Sequence, residues 1–156
     1  MSKTGKGISI LEHLSAENSG EASYELARLY QNGVYFNKDL ASAERLYLKS
    51  YRQKYKPALK ALGVVCFDEQ KYDDSYNYFE RSLNYTGGPE ALFYLGLMEV
   101  YGISGESERV LAGGYLKIKA ACNAKYKSAC DFIEKNDDQY NKALEVLGLD
   151  NPFNDE

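Results

Sequence analysis

Residues 22–33 read ASYELARLYQNG, and this stretch decides the fold because its pattern returns three more times along the chain. Ala22 is followed four positions later by Leu26, and Leu26 is followed at once by the small residue Ala27. A spacing of four residues places side chains on one face of an α-helix. A large apolar residue beside a very small one allows a partner helix to approach closely. The stretch therefore predicts a helix that packs tightly against another helix.

The same pattern starts again at three further alanines, Ala58, Ala91 and Ala129. These four repeat alanines are separated by 36, 33 and 38 residues. The position four residues after each later alanine is again large and apolar: Leu62, Leu95 and Ile133. Leu62 and Leu95 are each followed by a glycine, Gly63 and Gly96. A period of this length is typical of helical repeat proteins, in which each helix pair stacks on the next.

Each repeat continues with a second helical pattern after a turn. Its core-facing residues are Ala43, Leu46, Tyr47 and Ser50, then Ser75, Tyr78, Phe79 and Ser82, and then Gly114, Lys117, Ile118 and Ala121. The predicted helices cover residues 8–16, 21–32, 38–53, 58–68, 72–84, 90–101, 107–123, 127–135 and 138–147. We expect one all-α domain over 1–149, an α-solenoid of antiparallel helix pairs, with a frayed tail at 150–156. An irregular helical bundle is the alternative.

The first repeat resembles the Sel-one-like repeat, a longer-looped relative of the tetratricopeptide repeat. The matching residues are Ala22, Leu26, Ala27, Leu29, Tyr30, Gly33, Asp39, Ala43 and Tyr47. The resemblance extends over about residues 20–147 and implies a right-handed α-solenoid of about three and a half repeats. It also implies core positions for Tyr30, Tyr47 and Tyr101. Members of this family are mostly non-enzymatic modules that bind proteins through the first helix of each pair, an implication that the fold alone does not establish.

Two of the three cysteines have a spacing that resembles a secreted, cysteine-rich branch of the same family. Cys122 and Cys130 match the pair that joins the end of one repeat to the start of the next in that branch. A disulfide here would close a short loop between two helices. The alternative is two reduced thiols, as is usual in the cytoplasm. Cys66 is expected to be a small buried hydrophobe.

Sequence features that would indicate an enzyme, a cofactor or a metal site are scarce. His13 is the single histidine, and none of the common phosphate-binding, dinucleotide-binding, nucleophile-elbow or zinc-protease motifs occurs. The net charge of −4 argues against a nucleic-acid binder. No apolar run reaches the length of a membrane span. We therefore expect a protein that is not an enzyme, has no cofactor, and neither binds nucleic acid nor inserts into a membrane.

The positions that should point away from the core suggest where a partner binds. Their residues are polar in the first and last repeats and apolar in the middle ones, as at a partner site with a polar rim. The predicted partner-binding residues are Tyr24, Arg28, Val64, Phe67, Phe93, Tyr94, Leu97 and Val100. The alternative is that superhelical packing buries the apolar members against the neighbouring repeat.

A small acidic helical module suits the capture of one protein partner, as a monomer or in a one-to-one complex. The most specific hypothesis is a bacterial immunity protein that neutralises a toxin, and an acidic binder suits a basic toxin domain. The alternative is an adaptor for secretion, assembly or signalling, periplasmic or organellar if Cys122 and Cys130 are bonded. The N-terminal segment does not resemble a secretory signal. We expect a cytoplasmic protein, or a periplasmic one if a signal peptide has been removed.

Overall fold

The computed structural model describes residues 3–85, 88–103 and 108–149. These residues form helices and no strands, which confirms the all-α prediction. The helices are α1 Lys3–Ala16, α2 Gly20–Asn32, α3 Leu40–Arg52, α4 Ala58–Asp68, α5 Tyr72–Tyr85, α6 Pro89–Val100, α7 Glu108–Asn123, α8 Lys127–Lys135 and α9 Asp137–Leu147. Among the described helices, none combines the length and the apolar character that crossing a membrane requires. The predicted frayed tail, 150–156, lies outside the described residues.

The chain forms two compact units, Met1–Thr86 and Gly87–Glu156. In the N-terminal unit, each of the helices α1 to α5 packs on the next one along the chain. In the C-terminal unit, α7 packs against α6, α8 and α9. The organisation as one domain over 1–149 and the right hand of the superhelix stay predictions.

The repeat alanines form the core of both units, as predicted. Ala22, Ala58, Ala91 and Ala129 are all buried, and so are the large apolar residues four positions later. The small residues that follow lie at close helix contacts. A Cβ atom added to Gly63 would stand 2.8 Å from the Phe79 ring. The large–small pairs therefore set how closely the two helices of a pair approach.

A buried polar network joins α1 to the helix pair that follows it. The Ser15 hydroxyl lies 2.7 Å from the Ser23 hydroxyl, which donates to Gln53 Oε1 at 2.6 Å. Gln53 Nε2 donates back to the Ser15 carbonyl oxygen at 3.0 Å, and Lys49 Nζ donates to Ser15 Oγ at 2.9 Å. Both serines are buried, and these bonds give their hydroxyls partners in place of water. The network fixes the end of α1 against α2 and α3.

Two helix starts differ from the predicted ones by more than one residue. Asp39 caps α3 by accepting a hydrogen bond from Ser42 N at 3.0 Å, so the helix begins at residue 40 and not at 38. The start predicted at residue 8 for the leading helix is wrong, since α1 begins at Lys3. The helix continues through two glycines, where the Ser9 hydroxyl donates to the Gly5 carbonyl oxygen at 3.1 Å.

Two joints between successive repeats share one local structure. Lys54 and Lys125 each follow a helix end and adopt a left-handed backbone, with φ of 70° and 66°. The amide of the next residue then donates back into the helix, from Tyr55 to Ser50 O at 3.1 Å and from Tyr126 to Ala121 O at 3.0 Å. These bonds are those of a Schellman motif, which ends the helix and turns the chain. Each joint therefore places a tyrosine immediately before the next repeat.

Candidate functional site

Tyr24, the first predicted partner-binding residue, lies among rings of its own unit. Its ring centroid is 5.2 Å from that of Tyr47 and 5.2 Å from that of Tyr55. Tyr24 is half-buried as a result. Arg28, one turn further along α2, is exposed and donates two hydrogen bonds to Glu25, at 3.0 and 3.2 Å. At this predicted site, Arg28 is therefore open to a partner, whereas Tyr24 is largely engaged in packing.

Tyr47 is the buried ring on which Tyr24 packs. Its ring is buried, its hydroxyl donates to Gln31 Oε1 at 2.7 Å, and burial raises the pKa of the phenol above its ordinary value. The hydroxyl therefore stays protonated at neutral pH and acts as a structural donor.

The apolar residues predicted on α4 are half-buried. Val64 and Phe67 both keep part of their surface exposed. The centroids of the Phe67 and Tyr72 rings are 5.5 Å apart, and the two rings meet edge to face. They belong to neither the fully buried core nor the fully exposed surface. Within the N-terminal unit, they add a small apolar area to the surface of α4.

The four residues predicted on α6 fall into two groups, all of them half-buried. Leu97 and Val100 pack against the core cluster of the C-terminal unit. Phe93 packs against this cluster too, but its ring also lies 5.7 Å from Tyr94 and 5.4 Å from Tyr126. Leu97 and Val100 thus line the core and keep part of their surface exposed, whereas Phe93 and Tyr94 belong to a group of aromatic rings.

Phe132 of α8 is the centre of that group. Its ring lies 6.4 Å from Phe93, 6.1 Å from Tyr115 and 6.5 Å from Tyr101. We call the five rings that reach the surface the aromatic face: Phe93, Tyr94, Tyr101, Tyr126 and Phe132. Sequence reasoning did not predict Tyr101, Tyr126 or Phe132 as partner-binding residues. For Tyr126, the sequence did contain a signal, because a tyrosine recurs at the two joints, as Tyr55 and Tyr126.

The core position predicted for Tyr101 is wrong, because its side chain is 66% exposed. The physical reason is that α6 ends at Val100 and the next glycine, Gly102, turns the chain with a φ of 71°. Tyr101 therefore lies beyond the helix, where its ring is nearly perpendicular to that of Phe132. Tyr30, by contrast, lies inside α2, is half-buried and stacks on Phe36 at 4.3 Å.

Each unit has a pair of aromatic rings at equivalent repeat positions. Tyr24 and Phe93 each stand two positions after a repeat alanine, and each contacts the tyrosine of the following joint, Tyr55 or Tyr126. The centroid distances are nearly equal, 5.2 and 5.4 Å. Part of the aromatic face is therefore built into the repeat itself.

A partly buried ion pair joins α6 to α7, with the Lys117 side chain 36% exposed. Lys117 Nζ donates to both oxygens of Glu99, at 2.8 and 2.7 Å, and Glu99 is buried. Glu99 occupies the position of Tyr30 in the first repeat, eight residues after the repeat alanine. The lysine at a core-facing position of α7 is thus explained by a carboxylate on α6, which sequence periodicity did not reveal.

The cysteines have two different environments. The structure joins Cys122 to Cys130 by a disulfide, across the turn between α7 and α8. Cys66 is a buried free thiol, and burial raises its pKa to about 12. Among the described residues, no cluster of three or more His, Cys, Asp or Glu side chains is arranged to hold a metal ion.

Comparison with known proteins identifies the fold. The chain is similar in structure to a Sel1 repeat protein from Oxalobacter formigenes, with a TM-score of 0.59 and 22% sequence identity. The match covers 83% of this chain and 98% of that chain. A scan against protein-family models and a search of curated proteins gave no match. The structural likeness confirms the predicted α-solenoid fold of the Sel-one-like repeat type.

Proposed function

We propose that this chain binds a protein partner and that the aromatic face of the C-terminal unit is the contact surface. The observation that carries this proposal is the exposed Tyr101 ring standing on the half-buried Phe132. Phe132 is held in turn by Phe93 and Tyr115, so a partner would meet pre-ordered rings. Tyrosine contributes strongly to protein interfaces because it buries a large apolar ring and still offers a hydroxyl.

The position of the aromatic face in the repeats supports the same proposal. Phe93, Tyr94 and Phe132 lie on α6 and α8, the first helices of their pairs. The resemblance to Sel-one-like repeats implies partner binding through first helices. In the N-terminal unit, taken by itself, Arg28 and the half-buried Val64 and Phe67 lie on the first helices, and they are the proposed contact residues of that unit.

The negative charge of the C-terminal unit favours a basic partner. Residues 87–156 contain 7 Lys and Arg against 12 Asp and Glu, a net charge of −5, whereas residues 1–86 contain 12 against 11. An acidic unit accelerates the association of a basic protein and disfavours acidic ones. The finer hypothesis is therefore an immunity protein that neutralises a basic toxin domain in a one-to-one complex. An adaptor for secretion, assembly or signalling is the alternative.

The compartment follows from the state of the cysteine pair. A cytoplasmic location is the proposal if Cys122 and Cys130 are reduced in the native host. A Cys122–Cys130 bond in the native host would instead favour the periplasm or an organelle, because the cytoplasm keeps such thiols reduced.

The test is quantitative capture from the native host with wild-type protein, Tyr101→Ala and a matched control, Tyr35→Ala. Tyr35 is comparably exposed, 56%, and lies in the N-terminal unit. We expect Tyr101→Ala to weaken binding of the captured partner about tenfold or more, since an interface tyrosine often contributes over 1.4 kcal/mol. Tyr35→Ala should bind as wild type. Equal binding by all three proteins would refute the aromatic face as the contact surface.

The captured protein also separates the two functions. A partner that is basic and that stops growth when expressed alone supports immunity, provided that growth returns with wild-type protein and not with Tyr101→Ala. A component of a secretion or assembly apparatus that leaves growth unaffected supports the adaptor.

A further inference from the structure

Helix α1 has an exposed apolar side that its own unit does not cover. Ile8 and Leu11 are half-buried and Ser15 is buried, which defines the side packed on α2. Ile10 and Leu14, one turn apart, are 58% and 40% exposed. In a helix, these two positions lie on a different side from the packed one.

The exposed side has the spacing of a helix–helix contact. Residues 7, 10, 14 and 17 alternate steps of three and four, the pattern that keeps one seam facing a partner helix. At position 7 there is no side chain, and a Cβ atom added to Gly7 would meet nothing within 4 Å. A partner helix could therefore approach closely at this end.

The charges at the two ends of this side are opposite. Lys6 lies at the N-terminal end and Glu17 at the C-terminal end, and both are exposed. Glu17 directly follows the last residue of α1, where its amide donates to the His13 carbonyl oxygen at 3.0 Å and its carboxylate lies 3.5 Å from the His13 ring. Two copies of α1 running in opposite directions would bring the lysine of each copy near the glutamate of the other. A parallel arrangement would instead place like charges side by side.

We infer that α1 pairs with α1 of a second copy of this chain in an antiparallel, two-fold symmetric contact. In this register, Ile10 of each copy packs on Leu14 of the other, and Lys6 reaches Glu17. Such a contact is self-complementary, as a closed dimer requires. This surface differs from the aromatic face, so the dimer stands or falls independently of the proposed partner.

The size of the contact sets its strength. A 14-residue helix is about 21 Å long. One such helix pair buries less than the roughly 1,000 Å² that stable interfaces need, so the dimer should be weak and concentration-dependent. We therefore expect monomers in dilute solution and dimers at high protein concentration.

The first test is sedimentation equilibrium of the full chain from about 5 μM to about 1 mM. Wild-type protein should show a rising dimer fraction, and Ile10→Asp should stay monomeric. The control is Val34→Asp, a change at a comparably exposed residue outside α1 (59%), which should dimerise as wild type. A monomeric wild type over the whole range would overturn the inference, and so would equal behaviour of the two variants.

Charge exchange tests the register. Lys6→Glu should weaken dimerisation about fivefold or more, because it replaces two exposed ion pairs per dimer, each contributing around 0.5 kcal/mol, by contacts between like charges. The double variant Lys6→Glu with Glu17→Lys should restore it. A double variant that stays as weak as the single one would contradict the antiparallel register.

A disulfide cross-link gives a second measure of the register. Residues 7 and 17 of one chain are about 15 Å apart along the helix, too far to be bonded to each other. In the proposed dimer, residue 7 of one copy faces residue 17 of the other. Gly7→Cys with Glu17→Cys should therefore form covalent dimers under oxidation, well above the level seen with Glu17→Cys alone. Equal yields from the two variants would overturn the register.

Discussion

Two adjacent glycines on α7 allow a sharp test of how closely α6 and α7 pack. Gly114 lies at the helix crossing, where an added Cβ would stand 2.7 Å from the Gly96 carbonyl oxygen and 2.9 Å from Glu99 Cβ. An added Cβ at Gly113 would instead meet Glu99 Oε2 at 3.7 Å, an ordinary contact. The change from glycine to alanine is thus tolerated at one position and obstructed by backbone at the next.

The magnitudes follow from two opposing effects. In a helix interior, alanine is more favourable than glycine by roughly 0.5–1 kcal/mol, and this gain applies to both positions. At Gly114, the helices must also move apart, and overpacking of this kind costs about 1–3 kcal/mol. We expect Gly113→Ala to raise the free energy of unfolding by about 0.5–1 kcal/mol. Gly114→Ala should lie about 1–3 kcal/mol below Gly113→Ala, and at or below wild type.

The assay is urea unfolding followed by far-ultraviolet circular dichroism, with the midpoint and the slope compared among wild type and both variants. Because the two variants change the same residue type in the same helix, their unfolded states change alike, and the difference reports the helix contact. Gly114→Ala as stable as Gly113→Ala would refute the close crossing.

Three further predictions concern the Glu99–Lys117 ion pair and the thiols. Lys117→Met should lower the free energy of unfolding by about 1–3 kcal/mol, because the buried Glu99 carboxylate loses a cation that is itself partly exposed to water. Glu99→Met with Lys117→Met should recover part of this loss in the same urea assay. A double variant no more stable than Lys117→Met would contradict this. Iodoacetamide at about pH 8 should label no cysteine in native protein and only Cys66 after unfolding. Cys122 and Cys130 should be labelled only after reduction. Labelling of Cys66 in native protein would contradict its burial. Burial raises the Cys66 pKa from 9.0 to about 12. The buried neutral thiol therefore makes its full contribution to the free energy of unfolding below pH 9.0, and this contribution is lost towards pH 12. The urea midpoint should fall more steeply over this range in wild type than in Cys66→Ala.

The helices could be predicted because their signals are local. Repeat alanines, turn residues and end residues act within a few positions. Ser19, a residue type that favours the N-cap, accepts a hydrogen bond from Ala22 N at 3.2 Å through its Oγ. Gly148, a residue type that favours helix ends, ends α9 with a φ of 67°. These features depend on the chain near each residue, and the sequence shows that chain directly.

The candidate site was less predictable because its contacts cross between helices. Periodicity described each helix separately and could not pair Glu99 with Lys117. It also could not show that Phe132 would gather rings from three other segments. Tyr101 was misplaced because α6 ends one residue before it, and the exact end of a helix decides on which side the next residue lies.

The hydrogen-bond network at the end of α1 has a consequence for synthesis on the ribosome. Ser15 receives a bond from Gln53, a residue translated 38 positions later. At a translation rate of 5–20 residues per second, Gln53 is added roughly 2–8 s after Ser15. During that interval α1 can pack only on α2, because the residue that joins it to the end of α3 has not been added. The contacts of α1 are therefore complete only once Gln53 has left the ribosome.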